Sequence, residues 1–431
     1  MTPPARLAGA IDLLAAIEAA PRQPADAAAS AWFRARRYIG SADRREISDR
    51  VWTLLRARRR LSWWLARAGA APTPRLLVFG HELLAGRTLA ALALFAGGGK
   101  FAPAALSAEE QAVLGRLERH TLDHPAMAAP VRLEFPDWLE PQLAARFGAA
   151  LEAEMAALLA PAPLDLRVNL LKGCRAAARD ALAAEGIAAE ATPISPWGLR
   201  IGGRPAVTAG AAFRAGLVEI QDEGSQIVAL LAGAAPGLRV ADFCAVAGGK
   251  TLALAMMMEN RGHIAALDVA KSRLDGAARR LRRAGVHNAE AHLLGPGDKF
   301  LKRRAGGFDR VLVDAPCTGT GTWRRNPEAR HRLAPADLAE ILPRQAAILA
   351  DAAKLVRKGG RLVYATCSLL PAENEEQVSA FLARHGDFRT LPPAAVWPGP
   401  AACPAAGAFL SLSPRRHGTD GFFAAVLERV A

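Results

Sequence analysis

The stretch LRVADFCAVAGGKTLALAMMMEN, residues 238–260, decides the fold class of this 431-residue chain. Its beginning, LRVADFCA, is a short apolar run of the kind that forms a buried β-strand. Gly248 and Gly249 then allow a sharp turn, and KTLALAMMMEN continues as a helix. A strand that leads through a glycine turn into a helix is the repeating unit of an α/β sheet.

The same alternation continues from about residue 216 to the C-terminus. Strands are predicted in HIAALDV, FDRVLVDA, RLVYATCS and GFFAAVLERV, and helices in KSRLDGAARRLRRAG, ADLAEILPRQAAILADAAKLVRKGG and ENEEQVSAFLARHG. This order predicts a mostly parallel, Rossmann-like sheet with helices on both faces. Ligands of such sheets bind at the carboxyl ends of the strands.

The first half of the chain has a different pattern. Periodic apolar residues in AIDLLAAIEAA, ISDRVWTLLRARRRLSWWLARAG and PRLLVFGHELLAG predict an all-α domain over residues 1–130. Short strands around one helix predict a small α/β connector over residues 131–215. We therefore expect three domains, with the α/β catalytic domain over residues 216–431.

The charge balance favours a polyanionic partner. The chain has 55 Lys and Arg against 41 Asp and Glu, a formal net charge of +14, which suits RNA, although a membrane surface or solubility would also account for it. Arginines cluster in RARRYIGSADRRE and RARRR, and Trp63 and Trp64 follow the second cluster. These residues predict a phosphate-binding face, or else a solvated face above two core tryptophans.

Cysteine usage and the N-terminus indicate the setting of the protein. The five cysteines are widely spaced, without a Cys-x-x-Cys pair, which argues against a disulfide framework and a zinc site. The first residues lack the pattern of a secretory leader, and no apolar stretch has the length of a membrane span. We expect a cytoplasmic protein with no metal and no membrane partner.

The glycine turn predicts a ligand with a ribose. Its spacing is neither G-x-G-x-x-G nor G-x-x-x-x-G-K-[ST], which disfavours a dinucleotide or a P-loop phosphate. Asp268 ends the second strand, where an acidic residue takes both ribose hydroxyls, unless it only caps the next helix. A ribose without a pyrophosphate site points to S-adenosylmethionine, and Lys250 would then meet its carboxylate or a substrate phosphate.

Two thiols follow the ends of two other strands. Cys317 lies in DRVLVDAPCTGTGTW and Cys367 in LVYATCSLLP. A single such cysteine is typically a small buried side chain, but two in matching positions beside a methyl donor suit methylation of a pyrimidine carbon. A thiolate that adds to carbon 6 makes carbon 5 nucleophilic, and a second acid/base group is then needed for product release. Asp314 is placed to hydrogen-bond the base edge.

The catalytic half resembles the NOP/Sun family of RNA cytosine-C5 methyltransferases over about residues 160–431. The resemblance is carried by PLDLRVNLLK, VEIQDEGSQ, DFCAVAGGKT, VLVDAPCTGTGTWRRNP, YATCSLLPAENEEQV and HGTDGFFAAVLER, in the family's order. It implies that Cys367 is the nucleophile and that Cys317 assists product release. It also implies a donor site formed by Cys244, Ala245, Val246, Ala247, Gly248, Gly249, Lys250, Asp268, Asp314 and a third acidic residue, for which Asp298 is the candidate.

The resemblance also bears on the RNA. Arg324, Arg325 and Asn326 follow the Asp-Ala-Pro-Cys motif and are candidates to contact the RNA backbone, the alternative being a solvated turn. The helical part resembles the NusB-like RNA-binding domain of bacterial ribosomal RNA enzymes. Small-subunit ribosomal RNA is therefore the favoured substrate, and transfer RNA stays open.

One departure affects the donor site. The family usually has Cys-Ala-Ala-Pro-Gly-Gly-Lys, and here Val246 and Ala247 replace Ala-Pro. Without the proline the loop is less preset, so we expect weaker donor binding. Two alternatives remain: a methyltransferase for another acceptor, with both cysteines merely packed, and an RNA-binding ribosome-assembly protein whose donor site has decayed.

Overall fold

A computed structural model describes residues 1–295 and 298–431. The α-helices are α1 (Pro3–Glu18), α2 (Ala25–Ala35), α3 (Ser41–Arg56), α4 (Arg58–Arg67), α5 (Pro74–Leu84), α6 (Leu89–Phe95), α7 (Ala108–Gly115), α8 (Ala129–Arg132), α9 (Glu140–Phe147), α10 (Leu151–Leu159), α11 (Arg175–Ala184), α12 (Ala211–Arg214), α13 (Glu223–Leu231), α14 (Gly249–Met257), α15 (Lys271–Ala284), α16 (Phe300–Arg303), α17 (Pro327–Arg332), α18 (Pro335–Ala353), α19 (Glu375–Leu382), α20 (Pro393–Val396) and α21 (Pro414–His417).

The β-strands are β1 (Leu164–Val168), β2 (Ala189–Ala191), β3 (Gly198–Ile201), β4 (Val218–Ile220), β5 (Arg239–Phe243), β6 (His263–Asp268), β7 (Ala289–Leu293), β8 (Phe308–Asp314), β9 (Val356–Thr366), β10 (Phe388–Leu391), β11 (Leu410–Leu412) and β12 (Phe422–Arg429). Single turns of 3₁₀ helix lie at Asp137–Leu139, Gly148–Ala150, Val207–Ala209, Thr320–Thr322 and Pro371–Glu373. Among the described helices, none is long and apolar enough to span a membrane.

The chain forms two compact units. The helical unit consists of Met1–Ala160 together with Trp323–Ala334, and the sheet unit consists of Pro161–Thr322 and Pro335–Ala431. The helical unit therefore includes a short segment from the second half of the chain. This segment carries α17 and the three residues that were candidates for RNA contacts.

Apolar residues of α1 to α7 form a core in the helical unit, as the periodicity of the sequence predicts. One predicted helix is divided in two, because α3 ends at Arg56 and α4 begins at Arg58. The carboxylate of Glu134, which is fully buried, accepts hydrogen bonds from the backbone N–H groups of Arg59 and Arg60 at 2.9 and 3.0 Å. A distant acidic side chain thus satisfies the unpaired donors at the start of α4.

Helix α17 belongs to the helical unit and is held there by hydrogen bonds from side chains with low exposure. Glu328 accepts a hydrogen bond from the backbone N–H of Ala25 at 2.9 Å. The buried guanidinium of Arg330 donates to the carbonyl of Leu158. The imidazole of His331 lies 2.8 Å from the carbonyl oxygen of Leu55.

The sheet unit begins with a small antiparallel sheet whose strand order is β2-β3-β1-β4. Leu166 and Val168 on β1 pack with Leu182 of α11 and Leu199 of β3 in a separate apolar cluster. This sheet lies mostly within residues 131–215, where the sequence predicts a connector, and the bounds of that connector stay a prediction. It belongs to the same compact unit as the large sheet.

The large sheet has the order β10-β12-β9-β8-β5-β6-β7, and β11 pairs with β12. Strands β9, β8, β5, β6 and β7 lie side by side in this order, and each is parallel to its neighbour. Strand β12 pairs with β9 in the antiparallel direction. Helices α14 and α18 cover opposite faces, each over an apolar cluster. The predicted Rossmann-like fold after a helical domain is confirmed.

One strand starts earlier than the sequence pattern indicates. The predicted helix over ADLAEILPRQAAILADAAKLVRKGG ends at Ala353, and β9 begins at Val356. Val356 pairs with Phe308 of β8 before a bulge shifts the register. Pairing with a neighbouring strand decided this boundary, which local helix propensity does not encode.

Candidate active site

A cavity of about 400 Å³ opens at the carboxyl edge of β5, β6 and β8. The strands are in register here, because Phe243 is paired with Leu267 on one side and with Val313 on the other. The side chains that follow all three strands therefore meet at one edge. The cavity is lined by Phe243, Cys244, Val246, Asp268, Val269, Arg273, Leu294, Asp314, Ala315, Pro316, Cys317, Arg344, Ile348 and Cys367.

The loop after β5 has an unusual backbone. Cys244 and Val246 have φ angles of 76° and 49°, in the left-handed region that side chains other than glycine rarely adopt. Gly248 has φ 76°, and a Cβ there would lie 2.9 Å from the Cβ of Ala277. Glycine is thus required at 248 both for conformation and for the close approach of α15.

Asp268 holds this loop in place. Its carboxylate accepts hydrogen bonds from the backbone N–H of Val246 at 2.9 Å and of Ala270 at 2.8 Å. Helix α15 begins at Lys271, after the N-cap residue Ala270, which makes no side-chain capping bond. Asp268 therefore braces the turn between β6 and α15 rather than the first helical turn, and it lines the cavity.

Lys250 and Asp314 form an ion pair with 2.5 Å between Nζ and Oδ2. Lys250 is buried, and its ammonium also lies 5.6 Å from the ring centroid of Phe422. The sequence predicts separate partners for these two side chains. Lys250 is expected to contact the carboxylate of S-adenosylmethionine or a substrate phosphate, and Asp314 the edge of the target base. In this structure they are each other's partner.

Asp298 lies apart from the cavity. Its carboxylate is 2.6 Å from Nε2 of His292 and accepts the backbone N–H of Phe300 at 2.8 Å. The bond from Phe300 and the contact with His292 lower the pKa of Asp298. Leu294, rather than Asp298, is the residue from this region that lines the cavity among those that the structure describes.

The two thiols lie side by side. The sulfur atoms of Cys317 and Cys367 are 3.4 Å apart at the cavity wall. The hydrogen bond to Cys367 and then burial raise the pKa of Cys317 well above its ordinary value, so this side chain is held as a thiol. Burial also raises the pKa of Cys244 to about 12, so this third cysteine is a thiol at neutral pH.

A buried carboxylate that the sequence analysis missed joins the two cysteine loops. Glu373 accepts hydrogen bonds from the backbone N–H and the hydroxyl of Thr318, at 2.8 and 2.5 Å, and from the hydroxyl of Ser368. Gln345 donates to the same carboxylate and to the carbonyl of Pro316, both at 2.9 Å. Thr318 follows Cys317 and Ser368 follows Cys367, so Glu373 sets the spacing of the thiols.

Two basic side chains of the site were also missed. Arg344, on α18, lines the cavity although the sequence indicated only a packing helix there. Arg167, on β1, is buried and donates to the carbonyl of Gly249 at 2.7 Å. Burial lowers the pKa of Arg167 to about 10. The motif quoted around Arg167 was a signal for its importance, whereas nothing in the local pattern marked Arg344.

The candidate RNA contacts belong to the helical unit. Arg324 is 4% exposed, and its carbonyl accepts a hydrogen bond from Arg56 at 3.1 Å. A solvated turn is therefore the wrong interpretation for Arg324. Arg325 is partly buried and Asn326 is exposed, so these two are the more accessible of the three.

The chain is similar to proteins of a known methyltransferase family. Residues 230–428 match the family model described as 16S rRNA methyltransferase RsmB/F, and residues 135–208 match the ferredoxin-like domain of RsmF/B-like methyltransferases. The ribosomal RNA small subunit methyltransferase B of Xylella fastidiosa is 37% identical over 318 residues, which cover 73% of this chain and 72% of that protein.

Two crystal structures are similar. PH0851 has a TM-score of 0.79 and 24% identity and covers 100% of this chain and 99% of its own, which supports the fold. A methyltransferase homolog protein from Pyrococcus horikoshii has a TM-score of 0.61 and 28% identity, over 71% of this chain and 100% of its own. The Xylella protein is 37% identical over more than two thirds of both chains, and residues 230–428 match the family model. The chain therefore belongs to the RsmB/F methyltransferase family, as its NOP/Sun motifs predict.

Proposed function

We propose that this protein is an S-adenosylmethionine-dependent methyltransferase that modifies carbon 5 of a cytosine in small-subunit ribosomal RNA through a covalent Cys367 adduct. The observation that carries the proposal is the pair of sulfur atoms 3.4 Å apart at the cavity wall. Transfer of a methyl group to an amino nitrogen needs no thiol. The name of the Xylella relative supports small-subunit ribosomal RNA as the substrate.

The cavity fits the proposed methyl donor chemically. Phe243, Leu294 and Ile348 provide apolar walls suited to an adenine ring. Asp268 provides a carboxylate suited to ribose hydroxyls, and Asp314 an acidic group suited to a sulfonium cation. S-adenosylmethionine, when bound there, supplies the methyl group.

The thiols divide the remaining work. The Cys367 thiolate adds to carbon 6 of the cytosine, which gives carbon 5 the electron density that it needs to accept a methyl group. For product release, a water molecule in the open cavity takes the proton from carbon 5, the C–H electron pair restores the carbon 5–carbon 6 double bond, and the electron pair of the broken carbon–sulfur bond returns to Cys367 as a thiolate. The thiol of Cys317 lies within hydrogen-bond distance of the departing sulfur, and it stabilises the thiolate that forms there.

The decisive experiment uses labelled S-adenosylmethionine with unmodified small-subunit ribosomal RNA, and transfer RNA in parallel. We expect label in 5-methylcytosine of the ribosomal RNA, and no label with Cys367→Ala. Cys317→Ala is expected to accumulate an enzyme–RNA adduct that survives denaturing electrophoresis. Cys174→Ala is the matched control, because Cys174 is exposed and lies outside the lining of the cavity.

Other results would redirect the proposal. Label in another nucleoside that persists in Cys367→Ala would mean a methyltransferase for a different acceptor. Tight RNA binding without label would mean an assembly protein with a decayed donor site. Label only in transfer RNA would keep the chemistry and replace the substrate. The cytoplasmic location expected from the sequence remains a prediction.

A further inference from the structure

The helical unit contains a second cavity, of about 950 Å³. Its wall is formed by one side of α1, the chain that follows α2 and the segment around residues 100–104. It includes part of the arginine-rich stretch RARRYIGS. No residue of the proposed catalytic site lines this cavity among the residues that the structure describes.

Aromatic rings are the first notable feature of the wall. Tyr38 and Phe101 are 77% and 71% exposed, although large aromatic side chains are usually more buried. Trp32 is buried behind them and also lines the cavity. Flat, accessible rings at the rim of a concave site are suited to stacking against another flat ring.

Positive charge accompanies the rings. The guanidinium of Arg36 lies 4.2 Å from the ring centroid of Trp32, and Nζ of Lys100 lies 5.7 Å from that of Phe101. Arg75 also lines the cavity, but Glu110 neutralises it at 2.6 Å. Asp12 is the acidic residue of the lining. Arg36 and Lys100 therefore outweigh Asp12, and the site favours an anion.

We propose that this cavity binds an unpaired segment of RNA, with bases stacked on Tyr38 and Phe101 and phosphates contacted by Arg36 and Lys100. The inference rests on the proposed function for its substrate class and deepens it by a second contact with RNA. Exposed aromatic rings between basic side chains are the usual way in which proteins bind single strands without reading their sequence. A peptide with apolar side chains would leave the positive charges without a partner.

The test is a titration of the full-length protein with a fluorescent single-stranded RNA oligonucleotide. Stacking of a base contributes about 1–3 kcal/mol, so Tyr38→Ala and Phe101→Ala are each expected to weaken binding about tenfold. Leu94→Ala is the matched control, because Leu94 is 79% exposed in the same unit and does not line the cavity. Its affinity for RNA is expected to equal that of the unchanged protein.

The charges are tested by the dependence of affinity on salt. Each phosphate contact to a single strand contributes about 0.7 to the slope of log affinity against log salt concentration. Arg36→Gln combined with Lys100→Gln is therefore expected to reduce this slope by about 1.4. Unchanged affinity in the two alanine variants, or an unchanged slope in the glutamine variant, overturns the inference.

Failure of the inference is distinguishable from failure of the proposed function. If the unchanged protein methylates RNA and the alanine variants bind as tightly as it does, only the cavity is wrong. If the unchanged protein transfers no methyl group but the alanine variants lose affinity, the cavity stands and the catalytic proposal falls.

Discussion

At the scale of single residues, the loop after β5 carries backbone strain. Val246 has φ 49°, although a β-branched side chain is among the least suited to the left-handed region. Its N–H group is held by Asp268 at 2.9 Å, which compensates for part of the cost. Of the two residues that depart from the family motif, Val246 thus lies at a left-handed position of the backbone.

Val246→Gly is expected to stabilise the protein by about 0.5–1 kcal/mol. Relief of the left-handed conformation outweighs the extra freedom of glycine in the unfolded chain. Thermal or denaturant unfolding measures the difference. Val269→Gly is the matched control, since Val269 lines the same cavity, is exposed and has no positive φ angle. Equal destabilisation by both changes would show that Val246 is not strained.

At the scale of elements, the site depends on the hydrogen bonds that join the segments after β8 and β9. The hydrogen bonds of Glu373 reach the residue after each cysteine. The carbonyl of Cys367 also accepts the N–H of Gly321 at 2.9 Å. The distance between the two sulfur atoms is thus set by side chains beyond the strands themselves.

Glu373→Gln is expected to lower the rate of methyl transfer about tenfold. The amide replaces an acceptor oxygen that Thr318 and Ser368 now share, so the cysteine loops lose their common anchor. We expect kcat to fall while KM for the methyl donor is unchanged, because Glu373 does not line the cavity.

Glu376→Gln is the control, because Glu376 is exposed at the start of α19, close to Glu373 in the chain. Partial unfolding would also lower the apparent kcat without changing KM, so the folded fraction of each variant is measured by circular dichroism and kcat is expressed per folded enzyme. An unchanged kcat in Glu373→Gln would contradict a role in positioning the thiols.

At the scale of the whole molecule, parts of the chain that are far apart in sequence belong to one compact unit. Helix α17 comes from the second half of the sequence and packs in the helical unit. Its His331 is buried against the carbonyl of Leu55, and burial lowers the pKa of this imidazole to about 3. The helical unit therefore holds a neutral histidine that the unfolded chain protonates near pH 6.5.

The helical unit is expected to lose stability as the pH falls below 6.5. Between that pH and the folded-state pKa, the unfolded chain binds a proton that the folded chain does not, so the free energy of unfolding decreases by up to about 1.4 kcal/mol per pH unit. Urea unfolding followed by tryptophan fluorescence at pH 7.5, 6 and 5 measures this change, since most of the tryptophans lie in the helical unit.

His331→Gln isolates this effect. Glutamine keeps a donor for the carbonyl of Leu55 but does not titrate, so the dependence on pH should become weaker. The comparison with the unchanged protein is needed because Glu134 also changes stability with pH. Burial raises the pKa of Glu134, so its protonation in the folded protein increases the free energy of unfolding as the pH falls. Identical dependence on pH in both proteins would contradict the assignment to His331.

The sequence by itself determined the fold class, the glycine-containing loop after β5 and the two cysteines at strand ends. Strand, turn and helix patterns are local, so LRVADFCAVAGGKT is readable without knowledge of the rest of the chain. The meeting of Cys317 and Cys367 also follows from topology, because the carboxyl ends of neighbouring parallel strands lie at one edge of a sheet.

Only the tertiary structure decided which side chains pair with one another around these elements. The pairing of Lys250 with Asp314, the anchoring of both cysteine loops by Glu373 and the cap that Glu134 places on α4 join residues far apart in sequence. Asp298 was assigned to the donor site from its place in the chain, yet it pairs with His292 instead. Such contacts depend on how buried polar groups satisfy one another in three dimensions, which hydrophobic periodicity does not record.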